Sequence, residues 1–234
     1  VTSTVLHPII TKLLQHERKR DVEERLIESG LNFTILQPAD FMQAVRYRHA
    51  FQTGVYKLSW GGDKRQSLVD LEHVTDVAVK VFSETSRHFG ATYELSSPDC
   101  LSPKEIALTI QGVMGKPVTP VVDDPEVFLS TFFGEGFDRQ KMASELATFE
   151  AITDWYWRHD FIGNANVLTM LLDRTPTTFR QFIEREYGRR HQSYKFMGVG
   201  TDFAPVVDWC RVHDSGVRFT SGRLNTILSP HWET

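Results

Sequence analysis

Several side chains in this 234-residue chain are of types that do chemistry, and their spacing limits what that chemistry could be. His16 and Lys19 lie three residues apart in a helix-like run, so they share a face. A histidine titrates near neutral pH, which makes His16 a candidate acid or base; a solvated surface histidine is the ordinary alternative. Asp123, Asp124 and Glu126 gather carboxylates, yet no histidine stands at ligand spacing beside them. Cys210 and His213, with Asp208 and Asp214, come nearest to a metal cluster, but one cysteine and one histidine do not make a tetrahedral site. No metal is expected. The sequence contains no G-x-S-x-G turn, so serine hydrolase chemistry lacks support. Asp70 and Asp76 suit helix entry and first-turn charge. Trp155, Tyr156 and Trp157 suit a helix anchored in the core, and His159-Asp160 a helix end.

The elements that must position these groups follow from periodicity. Residues 2–6 read as a short strand, and Pro8 as the first turn of a helix running to Ser29. Val22, Leu26 and Ile27 would form that helix's apolar stripe and Gly30 its stop. Residues 32–37, β-branched and aromatic, read as a strand closed by Pro38. A helix feeding such a strand is half of a βαβ unit. Residues 40–47 read as a short helix, and residues 55–59 and 66–69 as strands of a hairpin turning at Gly61-Gly62. Val74, Val77, Ala78, Val81 and Phe82 recur at helical spacing, and residues 92–95 make a strand. Ser102-Pro-Lys-Glu105 is a helix start with cap, first-turn proline and capping box; Gly115 ends that helix. Residues 117–122 read as extended. Helices are expected over residues 125–133, 139–158, 166–172 and 175–187, with Phe179, Phe182 and Ile183 inward. Residues 188–234 show no sustained period.

Composition bounds the partners. A net charge of −4 and a pI near 6.1 give no basic footprint for nucleic acid, and the small cluster Arg185, Arg189, Arg190 and His191 does not change that. No apolar run approaches the roughly 20 residues that span a bilayer, and residues 1–8 lack the pattern of a signal peptide. Two cysteines are too few for a disulfide framework, so a cytoplasmic setting is expected.

Residues 19–38, KRDVEERLIESGLNFTILQP, are similar to the short-chain dehydrogenase pattern K-x-x-x-E-x-x-L-x-x-S-G-L-x-x-T-I-L-R-P. Phe41-Met42-Gln43 looks like the family's F-M-x-N step, and residues 67–78 resemble its D-x-x-D-V-A element. Residues 92–95 and 101–107 fall in the family's order. Trp155-Tyr156, Gly163-Asn164 and residues 174–179 resemble the C-terminal part of NmrA-like proteins, atypical short-chain dehydrogenases/reductases. The likeness covers about residues 1–187 and rests on order and spacing rather than on any single motif.

The resemblance implies an α/β fold: a partial, doubly wound Rossmann-type sheet lacking its N-terminal strands, plus a mainly helical C-terminal substrate subdomain. Residues 1–123 would belong to the NAD(P)-binding domain with interleaved substrate elements, 124–187 to the helical subdomain and 188–234 to an irregular tail. Val1 would fall on the family's fifth strand, and the chain contains no G-x-G-x-x-G turn for a pyrophosphate. The resemblance therefore implies NAD(P) in a full-length parent and none held by this chain alone. Lys19 matches the lysine of the family's Y-x-x-x-K site, where it holds the nicotinamide ribose. Gln15 stands in place of the tyrosine, and an amide cannot serve as that proton donor. Lys19, Gln37, Pro38, Phe41, Met42 and Gln43 are the implied cofactor-facing residues.

Three functions stay open, and with them whether the chain is an enzyme. A redox- or cofactor-sensing regulator would contact a protein partner such as a transcription regulator, and nuclear location would suit it. An NAD(P)H-dependent oxidoreductase would take a small carbonyl or quinone-like substrate. A truncated or degenerate fragment would have no activity, and its open sheet edge would make it poorly soluble.

Overall fold

The chain opens on a polar helix between two strand segments that pair. In the computed structural model, which describes residues 1–10, 12–58, 60 and 63–196, these are β1 (Thr2–Ser3), α1 (Leu14–Glu28) and β2 (Thr34–Pro38). β1 and β2 are parallel, Thr2 opposite Ile35, so the βαβ half-unit forms as its pattern implies. The turn at Gly61-Gly62, the Cys210–His213 group and residues 197–234 lie outside the described residues. The sheets and both hydrophobic cores belong to the compact unit Val1–Gln192.

α1 corrects two expectations. It starts at Leu14 rather than at Pro8, because the backbone at Leu13 is extended (φ −104°, ψ 109°) and interrupts any helix entered from Pro8. Its inward residues are His16 and Glu23, whereas Val22 and Ile27 are 46% and 57% exposed. A buried carboxylate is tolerated only when its oxygens are satisfied. Here Gln37 Nε2 donates to both Glu23 oxygens at 3.0 Å, and Thr4 Oγ1 donates to one of them. Polar contact with the sheet, not an apolar stripe, sets this helix's rotation.

Residues 40–47 also differ from expectation. Asp40–Phe41 forms β3, Met42–Ala44 a single 3-10 turn, and α2 (Tyr47–Thr53) follows, ended by Gly54. The hairpin does not form. β4 (Val55–Leu58) and β5 (Gln66–Val69) exist but belong to different sheets, with β5 parallel to β3. All four residues of β5 are buried, which a two-stranded hairpin with one wet face cannot provide. α3 (Leu71–Glu84) packs Val74, Val77 and Val81 inward, while Phe82 is 64% exposed.

β6 (Ala91–Leu95) joins β2 in parallel, giving the sheet β1-β2-β6 with β2 central and buried at each position. β7 (Cys100–Leu101) runs antiparallel to β5. α4 (Pro103–Met114) begins as its sequence dictates. Ser102 Oγ accepts from the Glu105 amide, Glu105 accepts from the Ser102 amide, and Gly115 caps the end. β8 (Thr119–Val122) pairs in parallel with β4. Helices α5 (Pro125–Phe133), α6 (Ala143–Arg158), α7 (Asn166–Leu172) and α8 (Phe179–Phe196) complete the described chain. α8 carries helix past Tyr187, so residues 188–196 are not irregular. No helix among the described residues is long and apolar enough to cross a membrane.

Two cores result. One gathers α2, β4, α4 and the inward Phe179, Phe182 and Ile183 of α8; the other joins the β1-β2-β6 sheet to α3, α6 and α7. Trp60 packs against both. The segment after α6 crosses the sheet end closely: a Cβ on Gly163 would meet Ser96 Cβ at 2.8 Å and Leu6 Cδ2 at 3.0 Å. Gly163→Ala is expected to cost about 1–3 kcal/mol through overpacking, read as a lower urea midpoint with an unchanged m-value.

Candidate functional site

β1, β2 and β6 are mutually parallel, so their carboxyl ends open on one edge, where open α/β sheets take ligands. Three strand exits meet there. Leu6 N donates to Pro38 O at 2.8 Å and Ala39 N to Leu95 O at 2.9 Å. Just past β1, the left-handed backbone of His7 is an uncommon conformation for a residue with a Cβ. Its ring is held by Ile162 O, 2.7 Å from Nε2, and by Glu94, 3.5 Å from Nδ1. A carbonyl only accepts, so Nε2 carries a proton.

His16 is not a surface histidine. It is 2% exposed, because position 16 of α1 faces Phe161 (ring centroids 5.8 Å) rather than solvent. Burial lowers its pKa, partly offset by the hydrogen bond from Nδ1 to His7 O at 3.0 Å. The ring is thus neutral at pH 7 with its proton on Nδ1. Phe161, itself 1% exposed, also meets the rings of His7, Trp155 and Tyr156 edge-on.

Beside this aromatic group lies a half-buried carboxylate that residue spacing does not single out. Asp40 leaves the end of β2 and accepts a hydrogen bond from Tyr156 Oη, on α6, at 3.3 Å. Desolvation pushes Asp40 up to about 6, against the opposing pull of the Tyr156 hydrogen bond. Burial and the adjacent carboxylate push Tyr156 well above its ordinary value, so the phenol stays protonated. Trp60 stacks on Tyr156 at 5.2 Å with planes 23° apart.

A second carboxylate nearby is treated oppositely. Asp70 is fully buried, which by itself would raise its pKa. Arg185 at 2.8 Å, Gln43 Nε2 at 2.7 Å and the Glu72 amide at 3.1 Å together hold it below the ordinary value. Gln43 also accepts from the Leu71 amide at 3.2 Å, tying the residues after β3 to the start of α3. On the outer side of α3, His73 accepts from the Thr177 amide at 2.8 Å, and Arg174 pairs with Asp76 at 2.9 Å. These contacts pin the chain before α8 and line an open cavity of about 290 Å³. No group of side chains placed to hold a metal occurs among the described residues.

The sequence-predicted residues are scattered over this frame. Lys19 is exposed on α1, four residues after Gln15, whose Oε1 is buried without a hydrogen-bond partner. Gln37 turns beneath α1 to Glu23, Pro38 is buried at the sheet end, and Phe41 packs on the sheet-side core. Met42 is fully buried in the other core, and Gln43 is engaged with Asp70. No hydrogen bond joins any two of the six. Of Gln15 and Lys19, the exposed Lys19 ammonium has the chemistry to donate to a ribose hydroxyl, whereas the Gln15 oxygen is enclosed. No glycine turn for the phosphates occurs in the chain.

Comparison with known proteins agrees with this geometry. No protein-family model matches the chain. An NAD(P)H azoreductase of Xenophilus azovorans is 30% identical over 163 residues, covering 68% of this chain and 54% of that protein, so the chain spans about half the length of the curated relative it matches. An NADPH-dependent quinone oxidoreductase from Escherichia coli, solved with NADPH, superposes with a TM-score of 0.65 at 18% identity, over 79% of this chain and 64% of the other. NmrA, a negative transcriptional regulator solved with NAD, superposes with a TM-score of 0.54 at 13% identity, over 76% and 59%. The chain therefore has the α/β fold of the NAD(P)-binding Rossmann proteins. Within them its likeness is to the NmrA-like, atypical short-chain dehydrogenases/reductases.

The two carboxylates set opposite expectations for stability. Asp40 has a raised pKa, so its ionised form destabilises the fold above the unfolded-state pKa near 4 and costs nothing below it. Asp40→Asn should therefore raise stability by about 1–2 kcal/mol at pH 7, discounted for partial exposure. The gain should vanish near pH 3. Thermal melts at the two pH values check this. Asp70 is depressed, so its contribution is present above the unfolded pKa and lost as pH falls through the folded one. Asp70→Ala should cost about 2–4 kcal/mol at pH 7, measured by urea denaturation.

Proposed function

We propose that this chain forms the nicotinamide and substrate side of the cleft of an NAD(P)H-dependent reductase acting on planar, electron-poor acceptors of the quinone or azo kind. The observation that carries this reading is the aromatic-lined carboxyl edge of the parallel sheet, with Lys19 on the helix that follows β1. The likeness to an azoreductase and to a quinone oxidoreductase supports it. When bound, a reduced nicotinamide supplies hydride; the chain's part is to hold the ribose, exclude water and manage a proton.

Gln15 favours a second reading, a cofactor-sensing regulator that binds NAD(P) without turnover and signals to a protein partner. The likeness to NmrA supports it. Both readings are separated by mixing the protein with NADH or NADPH and with menadione or an azo dye. Consumption of reduced nicotinamide is expected. Lys19→Ala should raise KM for the nicotinamide about tenfold, the loss of about 1.4 kcal/mol of binding, with a smaller change in kcat. Binding without consumption selects the regulator; neither binding nor consumption rejects both.

A further inference from the structure

We propose that Asp40 is the proton source of this site and that Tyr156 positions it, a pair that takes over the role Gln15 cannot fill. The inference deepens the reductase reading and rests on it. Reduction of a quinone requires one hydride and one proton. The hydride comes from a reduced nicotinamide, the reductant this proposal names; the proton must come from a group at the cleft. Gln15 has none to give. His16 is buried, neutral and carries its single proton toward the His7 carbonyl. His7 carries the Nε2 proton toward Ile162 O.

Asp40 stands differently. It lies two residues beyond Pro38, at the exit of the central strand, half-buried. Its hydrogen-bond partner is Tyr156, which donates to Oδ2 at 3.3 Å. Opposite it across the ladder on β5 is the apolar Leu68, and no charged side chain among the described residues pairs with it. A carboxyl in such surroundings keeps its proton toward neutral pH, where an acid of that strength is most effective. The protonated Asp40 gives its proton to the oxygen of the acceptor as hydride arrives at the ring. The acceptor leaves as hydroquinone, and the carboxylate left behind is stabilised by the Tyr156 phenol until solvent reprotonates it. Trp60, stacked on Tyr156, and Phe161, edge-on to it, fix the phenol's position.

The test follows kcat for menadione reduction against pH in the wild-type protein, Asp40→Asn and Tyr156→Phe. In parallel, the carboxyl resonances of ¹³C-labelled aspartate are titrated by NMR, and menadione quenching of tryptophan fluorescence reports acceptor binding. Asp40→Asn should lower kcat at pH 7 by about 10²-fold, keep the quench within about twofold, and lose one titrating resonance. The acid form is the donor, so kcat falls as pH rises through the Asp40 pKa. Tyr156→Phe removes a donor to the carboxylate, so both that limb and the resonance should move to higher pH. A purely packing role for Tyr156 would move neither. Asp40→Asn with kcat within about twofold of an active wild type overturns the proposal while the reductase reading stands. Loss of the quench in Asp40→Asn makes Asp40 a binding group and overturns it as well. A wild-type protein that reduces no acceptor rejects the reductase reading itself, and the proton role with it.

Discussion

The carboxyl edge of the sheet depends on Phe161. Its backbone is fixed on both sides, with its N–H donating to Arg65 O at 2.8 Å and its carbonyl accepting from Ser67 N at 2.7 Å. The chain around it runs as a strap along β5, and the ring has one place to go. There it packs edge-on against the rings of His7, His16, Trp155 and Tyr156 at once. Burying such a ring is worth about 2–3 kcal/mol, and each edge-on pair adds about 0.5–1.5 kcal/mol. The same strap brings Gly163 against Ser96 and Leu6, so one loop closes the ends of β1, β5 and β6 together.

Against this apolar lock the two carboxylates show opposite treatments of a buried charge. Asp70 is surrounded by donors and caps α3; it is a structural ion that fixes the residues after β3 through Gln43. Asp40, two residues past Pro38, has a single phenol for company. Asp40 thus carries one neutral donor and, among the described residues, no cation, where Asp70 carries an arginine, an amide side chain and a backbone amide. The Glu23–Gln37–Thr4 group makes the contrast sharper, since a carboxylate more fully enclosed is there supplied with donors on both oxygens.

Much of the local structure is legible from residue types alone. The Ser102–Glu105 box starts α4 because a hydroxyl, a first-turn proline and a third-position glutamate satisfy the first amides within four residues. Pro125 and Asn166 begin helices where their patterns place them, and Phe179, Phe182 and Ile183 turn inward. The departures share one cause. Glycine spacing suggests a hairpin between β4 and β5, but strand pairing is settled by which faces must be covered, and β5 needs both covered. Hydrophobicity suggests a stripe on α1, whereas its inward residues are a glutamate held by Thr4 and Gln37, 19 and 14 positions away, and a histidine that meets Phe161 far along the chain.

The candidate site divides in the same way. The sequence by itself determined the exit of β2 at Pro38, the lysine on the helix after β1 and the lack of a tyrosine at position 15, because these are statements about residue identity and short spacing. It could not bring Asp40 to Tyr156, which lie 116 positions apart, nor seat Phe161 between two histidines. Those meetings are decided by which helix crosses which strand end. A side chain's chemistry then follows from the water that crossing removes, a quantity that only the folded chain possesses.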